Sequence, residues 1–154
     1  PLYGKNLINS KNKYKLYKNL SIIAKTCEKN KIELLVESNM TPKKFDILKK
    51  NISSKNCFFL FDSGNRITFK RNFVEDIRSF GNNIRHVHLK DKNFYGKNVI
   101  IGKGKVNFEL FFSTLKKIKY KGSFAIESQR GINIESQAKK NYLFFKKLIK
   151  KYKL

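Results

Sequence analysis

Apolar and polar positions along the 154 residues switch repeatedly between two periods. From Tyr14 to Lys29, the apolar residues Leu16, Leu20, Ile23, Ala24 and Cys27 recur every three or four positions, the stripe of an amphipathic helix. KIELLVES (31–38) is instead a short, nearly continuous apolar run and predicts a strand. In TPKKFDILKKN, Thr41 takes an N-cap position and Pro42 the first helical one, the expected start of a helix. The alternation then repeats. NCFFLFDSGN (56–65) reads as a strand ending in a turn, NFVEDIRSFG as a helix stopped by Gly81, and IRHVHLKD (84–91) as a third strand. A helix is expected from Phe108 to Lys119, a fourth strand at GSFAIES (122–128), and a long final helix from Ser136 to Lys153. No stretch is rich enough in Pro or Ser to be a linker, so residues 1–154 are expected to form a single domain.

Strands of this kind separated by helices indicate a parallel sheet covered by helices. Either an open doubly wound sheet or part of an eight-fold barrel would satisfy the pattern. The polar residues decide between them. Side chains alternate along a strand, so Leu35 and Glu37 share a face, as do Leu60 and Asp62, His86 and His88, and Ala125 and Glu127. The opposite faces carry Leu34 and Val36, Phe59 and Phe61, Val87 and Leu89, Phe124 and Ile126, fit to pack under helices. Each strand thus ends, on one face, with an acid–base or metal-capable side chain. A barrel accounts for that regularity, because its interior brings strand ends together at the catalytic mouth.

Composition changes this picture in one respect. The formal net charge of +24 invites a nucleic-acid reading, but lysines outnumber arginines 30 to 5, and arginine's planar fork is the usual phosphate reader. Lysine pairs such as Lys43-Lys44, Lys49-Lys50, Lys116-Lys117 and Lys146-Lys147 fall along expected helices, as on a solvated face. Nucleic acid is therefore not the expected partner. No apolar run is long enough to span a membrane. Cys27 and Cys57 are isolated and read as reduced thiols of a cytoplasmic protein. The start at Pro1 suggests a processed or truncated chain.

Glu37, Asp62, His88 and Glu127 are the candidate metal ligands. Three carboxylates brought together repel one another unless a cation neutralises them. Oxygen-rich ligation with one imidazole suits one divalent ion: Mn²⁺, Mg²⁺, Co²⁺ or Zn²⁺. His86, one layer deeper, reads as a packed, hydrogen-bonded core histidine or one that supports the ligands from behind, and Asp91 as a further supporting residue.

These residues lie in motifs that resemble a known family. VES (36–38), FDSGN (61–65), HVHLKDK (86–92) and IGKGKVNFELFFSTLKKIKYKGSFAIES (101–128) resemble the xylose-isomerase-like sugar phosphate isomerases and epimerases. The likeness is to the L-ribulose- and L-xylulose-5-phosphate 3-epimerase branch: D-x-G-N, H-L-K-D, G-x-G-x-V-x-F and Y-x-G-x-F-x-I-E. It runs from about Ile22 onward. It implies the C-terminal half of a (β/α)8 TIM barrel, with four parallel strands standing as the fifth to eighth and Pro1 to Ile8 as the tail of the fourth. A half-barrel exposes sheet edges and its inner face. The chain is accordingly expected to be a fragment lacking its N-terminal half, or a half that closes by pairing with another copy.

The resemblance also implies metal-dependent isomerisation or epimerisation of a ketose or sugar phosphate through an enediolate. Glu37 and Glu127 hold the places of the two catalytic bases, and Asp62 and His88 those of purely structural ligands. Asn65 stands where some branches carry a histidine and is expected to contact substrate. Lys90, Arg130 and Lys103, the last within the Gly-x-Gly loop IGKGK, are candidate substrate-phosphate groups; the loop's backbone donors can cradle an anion. Arg66 is an additional candidate. A rival of the same fold, an endonuclease IV-type repair enzyme, needs further histidines where this chain has Asn65 and Gly96-Lys97-Asn98. A non-catalytic basic binding module is the other alternative. Its evidence would be the final helix, whose Leu143, Phe144, Leu148, Ile149 and Tyr152 are expected to pack on the sheet.

Overall fold

The computed structural model describes residues 11–69, 71–129 and 131–154. Pro1 to Ile8, expected as the end of another strand, lie outside the described residues. The chain falls into two compact units, the first ending at Leu60 and the second spanning Phe61–Leu154.

The first unit is a parallel strand–helix–strand preceded by a helix. Helix α1 (Lys13–Lys29) buries Leu20 and Ala24, whereas Ile23 of the expected stripe is 46% exposed. Strand β1 (Leu34–Glu37) runs parallel to β2 (Cys57–Asp62), with Leu34 opposite Cys57 and Glu37 opposite Leu60. Between them α2 (Pro42–Ile52) starts as its sequence dictates: Lys44 N donates to Thr41 Oγ1 at 3.2 Å, and Pro42 takes a place where no amide donor is needed. Phe45 and Leu48 of α2 are fully buried, and Phe45 meets Phe59 edge-to-face at 5.2 Å. The Ser54 hydroxyl ties loop to helix by donating to Glu28 Oε1 at 2.6 Å. Thr41→Ala should lower stability by about 1 kcal/mol, the ordinary cost of a lost cap, read as a shift in the urea midpoint.

The second unit holds the end of β2, α3 (Ser63–Thr68), α4 (Phe73–Phe80), β3 (Ile84–Leu89), β4 (Asp91–Lys92), β5 (Asn98–Val99), α5 (Phe108–Lys117), β6 (Ser123–Ile126) and α6 (Ile134–Tyr152). Strands β3 and β6 are parallel, with His86 opposite Ser123 and His88 opposite Ala125. The two-residue strands β4 and β5 form an antiparallel hairpin, of which only Asp91 falls within the strand expected over 84–91. Asn72, Asn107 and Asn133 cap α4, α5 and α6 through their side-chain oxygens. The core is phenylalanine-rich. Phe61, Phe111 and Phe112 have no exposed surface, and Phe112 stacks on Phe124 and on Phe145.

Helix α6 buries Leu148 as expected, but the first half of its inward face differs from the expected stripe. Its buried residues are Asn141, Phe145 and Leu148, at i, i+4 and i+7, while Leu143 and Phe144 are 45% and 39% exposed. At 100° per residue, a face centred on Phe145 and Leu148 turns Leu143 outward. Asn141 is accommodated by donating to Ser128 Oγ at 2.6 Å. The lysines of the four pairs lie along helices, and Lys43, Lys44, Lys116, Lys117, Lys146 and Lys147 are exposed. Both cysteines are free thiols, and burial pushes that of Cys57 up to about 11. Among the described residues, no helix is long and apolar enough to cross a membrane.

Candidate functional site

In the second unit, the carboxyl ends of β2, β3 and β6 bring together Asp62, His88, Lys90 and Glu127. Asp62 ends β2 and also caps α3, its Oδ1 accepting from Asn65 N at 2.7 Å. The cap fixes the carboxylate's direction, so that Oδ2 lies 3.1 Å from Lys90 Nζ. The residue is 2% exposed.

His88 and Glu127 meet because β3 and β6 are in register. Glu127 N donates to Leu89 O at 3.1 Å, carrying the ladder one residue past β6 and placing the Glu127 side chain beside His88. Glu127 Oε2 lies 3.0 Å from His88 Nδ1. That nitrogen is sealed from solvent, yet it finds no hydrogen bond of good geometry among the described residues. A ring nitrogen of His88 and a carboxylate oxygen of Asp62 lie within 4.8 Å of each other. His86 is placed one layer deeper. Its Nδ1 shares a 2.7 Å hydrogen bond with Ser123 Oγ, and its ring meets that of His88 edge-on at 5.3 Å. Burial, and then the neighbouring His88, hold the His86 imidazole below its usual pKa.

Lys90 lies inside the acidic cluster, 7% exposed. Its Nζ is 2.6 Å from Glu127 Oε1 and 3.1 Å from Asp62 Oδ2. Burial works against the charged ammonium, but the contacts with Glu127 and Asp62 outweigh it, and the pKa is raised. The backbone beneath is clasped. Ser63 Oγ donates to Lys90 O at 2.7 Å and accepts from Lys90 N at 2.9 Å. Gly64 leaves room for the stem, since a Cβ there would stand 3.0 Å from Lys90 Cγ.

Asp91 is completely buried and organises a loop. Its Oδ2 accepts from Gly102 N at 2.9 Å and Gly104 N at 2.8 Å, and its Oδ1 from Val106 N at 3.1 Å and Lys92 N at 3.0 Å. The donors of the IGKGK loop are therefore directed at the protein's own carboxylate rather than at a free anion. Two glycines are required here. Gly102 has φ +82°, and a Cβ on Gly104 would lie 2.0 Å from Asp91 Oδ1. The Gly-x-Gly signal is visible in sequence; its partner Asp91, 11 to 13 residues earlier, is not.

Lys103 is exposed on the loop, and Asn65 is half-buried in the first turn of α3. Glu37 ends β1 in the first unit, opposite Leu60. Arg130 lies outside the described residues. Arg66 points inward and does not reach the site: it is 1% exposed, paired with Asp76 at 3.2 Å, with the rings of Phe61 and Phe80 at 5.1 and 5.2 Å.

Parallel strands alternating with helices, with acids and an imidazole gathered at the strands' carboxyl ends, define an α/β-barrel type of architecture and site. The chain belongs to the xylose isomerase-like TIM barrel family, whose sequence model matches residues 6–148. It is similar in fold to a xylose isomerase domain protein from Planctomyces limnophilus, with a TM-score of 0.81 at 18% identity, covering 95% of this chain and 57% of that one. A D-tagatose 3-epimerase-like protein superposes with a TM-score of 0.71 at 28% identity, over 88% of this chain and 55% of its own. An L-ribulose 3-epimerase gives 0.65 at 22% identity, over 82% and 44%. In sequence, an uncharacterized protein of Methanocaldococcus jannaschii is 34% identical over 116 residues, which is 73% of this chain and 37% of that protein. The chain thus spans about half the length of these structures and little more than a third of that relative.

Proposed function

We propose that this chain serves a divalent-metal-dependent isomerase or epimerase that moves a proton beside the carbonyl of a ketose or sugar phosphate. The observation that carries this reading is the meeting of Asp62, His88 and Glu127 at the strand ends. The sugar class rests on the family and on the epimerases among the fold's neighbours.

The residues fit a hard divalent ion. The sealed Nδ1 of His88 faces carboxylate oxygens without a directed hydrogen bond, the environment of a ring nitrogen awaiting a Lewis acid. Asp62, His88 and Glu127 would hold the ion, and the strand pattern adds Glu37 as a fourth ligand. When bound, such an ion polarises a carbonyl and its adjacent hydroxyl, lowering the cost of an enediolate.

Exposure separates the roles of the acids. The Asp62 side chain is 1% exposed and cannot meet a substrate, so it holds charge in place. That of Glu127 is 51% exposed and can take a proton from a bound sugar. Glu37, the other acid of the strand pattern, would return one on the opposite face. Asn65, Lys103 and Arg130 remain the substrate-side candidates. A second copy or a complementary half-barrel would supply the rest of the enclosure.

Elemental analysis of purified protein tests this directly. About one divalent ion per chain is expected in the wild type, and none in the His88→Ala, Glu127→Ala double variant. Equal metal content in both would remove the reading. The same pair, assayed on ketose phosphates, should show proton exchange into the substrate from solvent only with the wild type.

A further inference from the structure

We infer that Lys90 is the resident counter-cation of the Asp62–Glu127 carboxylates, holding the site together when it is metal-free and competing with a divalent ion for the same oxygens. The inference rests on the metal reading above but concerns a different residue and a different property.

The position of the ammonium is built into the fold at several points. The two hydrogen bonds between Ser63 Oγ and the Lys90 backbone fix where the side chain leaves the strand. Gly64 opens the channel that the stem passes through, and the ammonium ends between two carboxylates at 2.6 and 3.1 Å. With 7% exposure, Lys90 is not a surface lysine that happens to reach an acid. A mobile surface pair would contribute little, whereas a carboxylate as buried as Asp62 needs a cation beside it.

The same geometry weighs against a substrate-phosphate role. An ammonium has three N–H donors, and this one stands within ion-pair distance of two protein carboxylates, so a phosphate would have to draw it away from the acids. A divalent ion on Asp62 and Glu127 would meet the ammonium's charge directly, and repulsion between the two cations makes their occupancy mutually antagonistic. Lys90 is thus a positioning residue with opposite effects in the two states.

The test compares wild type, Lys90→Met and Lys90→Arg by Mn²⁺ titration calorimetry and by thermal melting in a chelator. Lys90→Met keeps the packed stem and removes the charge. It should melt well below wild type in chelator and bind Mn²⁺ at least about tenfold more tightly. Lys90→Arg, which keeps the charge, should stay near wild type in both. If Lys90→Met does not fold in chelator, it is refolded with Mn²⁺ present; recovery supports the inference and failure to recover overturns it. Wild type that binds Mn²⁺ with Lys90→Met no tighter would overturn the competition while leaving the metal site intact. If neither protein binds Mn²⁺, the metal reading itself falls and the inference with it.

Discussion

Removing Asp91 should unfold the 100–106 loop and cost about 3 kcal/mol of stability, the scale set by losing charge-assisted hydrogen bonds at a buried site. The size follows from what the four donors would meet afterwards. The bond from Val106 N is buried, whereas those from Lys92, Gly102 and Gly104 are only partly so, and water can replace some of the loss. Asp91→Asn should fare little better than Asp91→Ala, because its amide group turns two donors toward amides that also donate. Gly104→Ala strikes the same contact from the other side. Its Cβ cannot share space with Asp91 Oδ1 at 2.0 Å, so the loop must leave its seat. Urea unfolding of the two single variants and the double gives the check: the double should lose distinctly less than the sum. Full additivity, or a Gly104→Ala protein as stable as wild type, would mean that the loop does not wrap the carboxylate.

The other large effect is expected at Asp76. Its Oδ2 is shared by Arg66 at 3.2 Å and Arg71 Nε at 2.6 Å, while Oδ1 takes Arg71 NH2 at 2.6 Å. Asp76→Ala removes the carboxylate beside a guanidinium that is 1% exposed, and breaking a buried pair from one side costs about 3–5 kcal/mol. Arg66→Met leaves Asp76 its bidentate partner Arg71 and should cost clearly less. The double variant Arg66→Met, Asp76→Ala should recover part of the loss, since the buried guanidinium then leaves together with its carboxylate. Thermal melts of the three decide it. An Asp76→Ala protein within about 1 kcal/mol of wild type would show that the arginine escapes to solvent.

The legible part of this chain was what depends on near neighbours in sequence. Period-2 parity puts Leu34, Val36, Phe59, Phe61, Val87, Leu89, Phe124 and Ile126 on the helix-facing side; Val36, Phe59, Phe61, Val87 and Leu89 are buried, Leu34 and Phe124 are half-buried, and Ile126, at the end of β6, is 40% exposed. Thr41-Pro42 marked the start of α2 to the residue. Lys90, two residues past His88, falls on the same face by that alternation. What sequence could not give was the partner of each polar group. Ser63-Gly64-Asn65 read as a turn, although Asp62 three residues before Asn65 carries the N-cap signal for the short helix α3. Strands β4 and β5 are two residues long, below the length at which any period is detectable. The buried end of α6 was misjudged by one position because both Phe144 and Phe145 are large apolar residues, and only packing distinguishes them.

Strand β3 assigns folding and chemistry to alternate letters of the same word. Val87 and Leu89 are sealed in the core, while His86 and His88, alternating with them, are half-open on the other face. Substitutions at the second pair should alter the chemistry of that face at less cost in stability than substitutions at the first. Such a strand lets a lineage exchange one chemistry for another while its scaffold is inherited unchanged, and saturation mutagenesis of positions 86–89 should show tolerance rising and falling with every step.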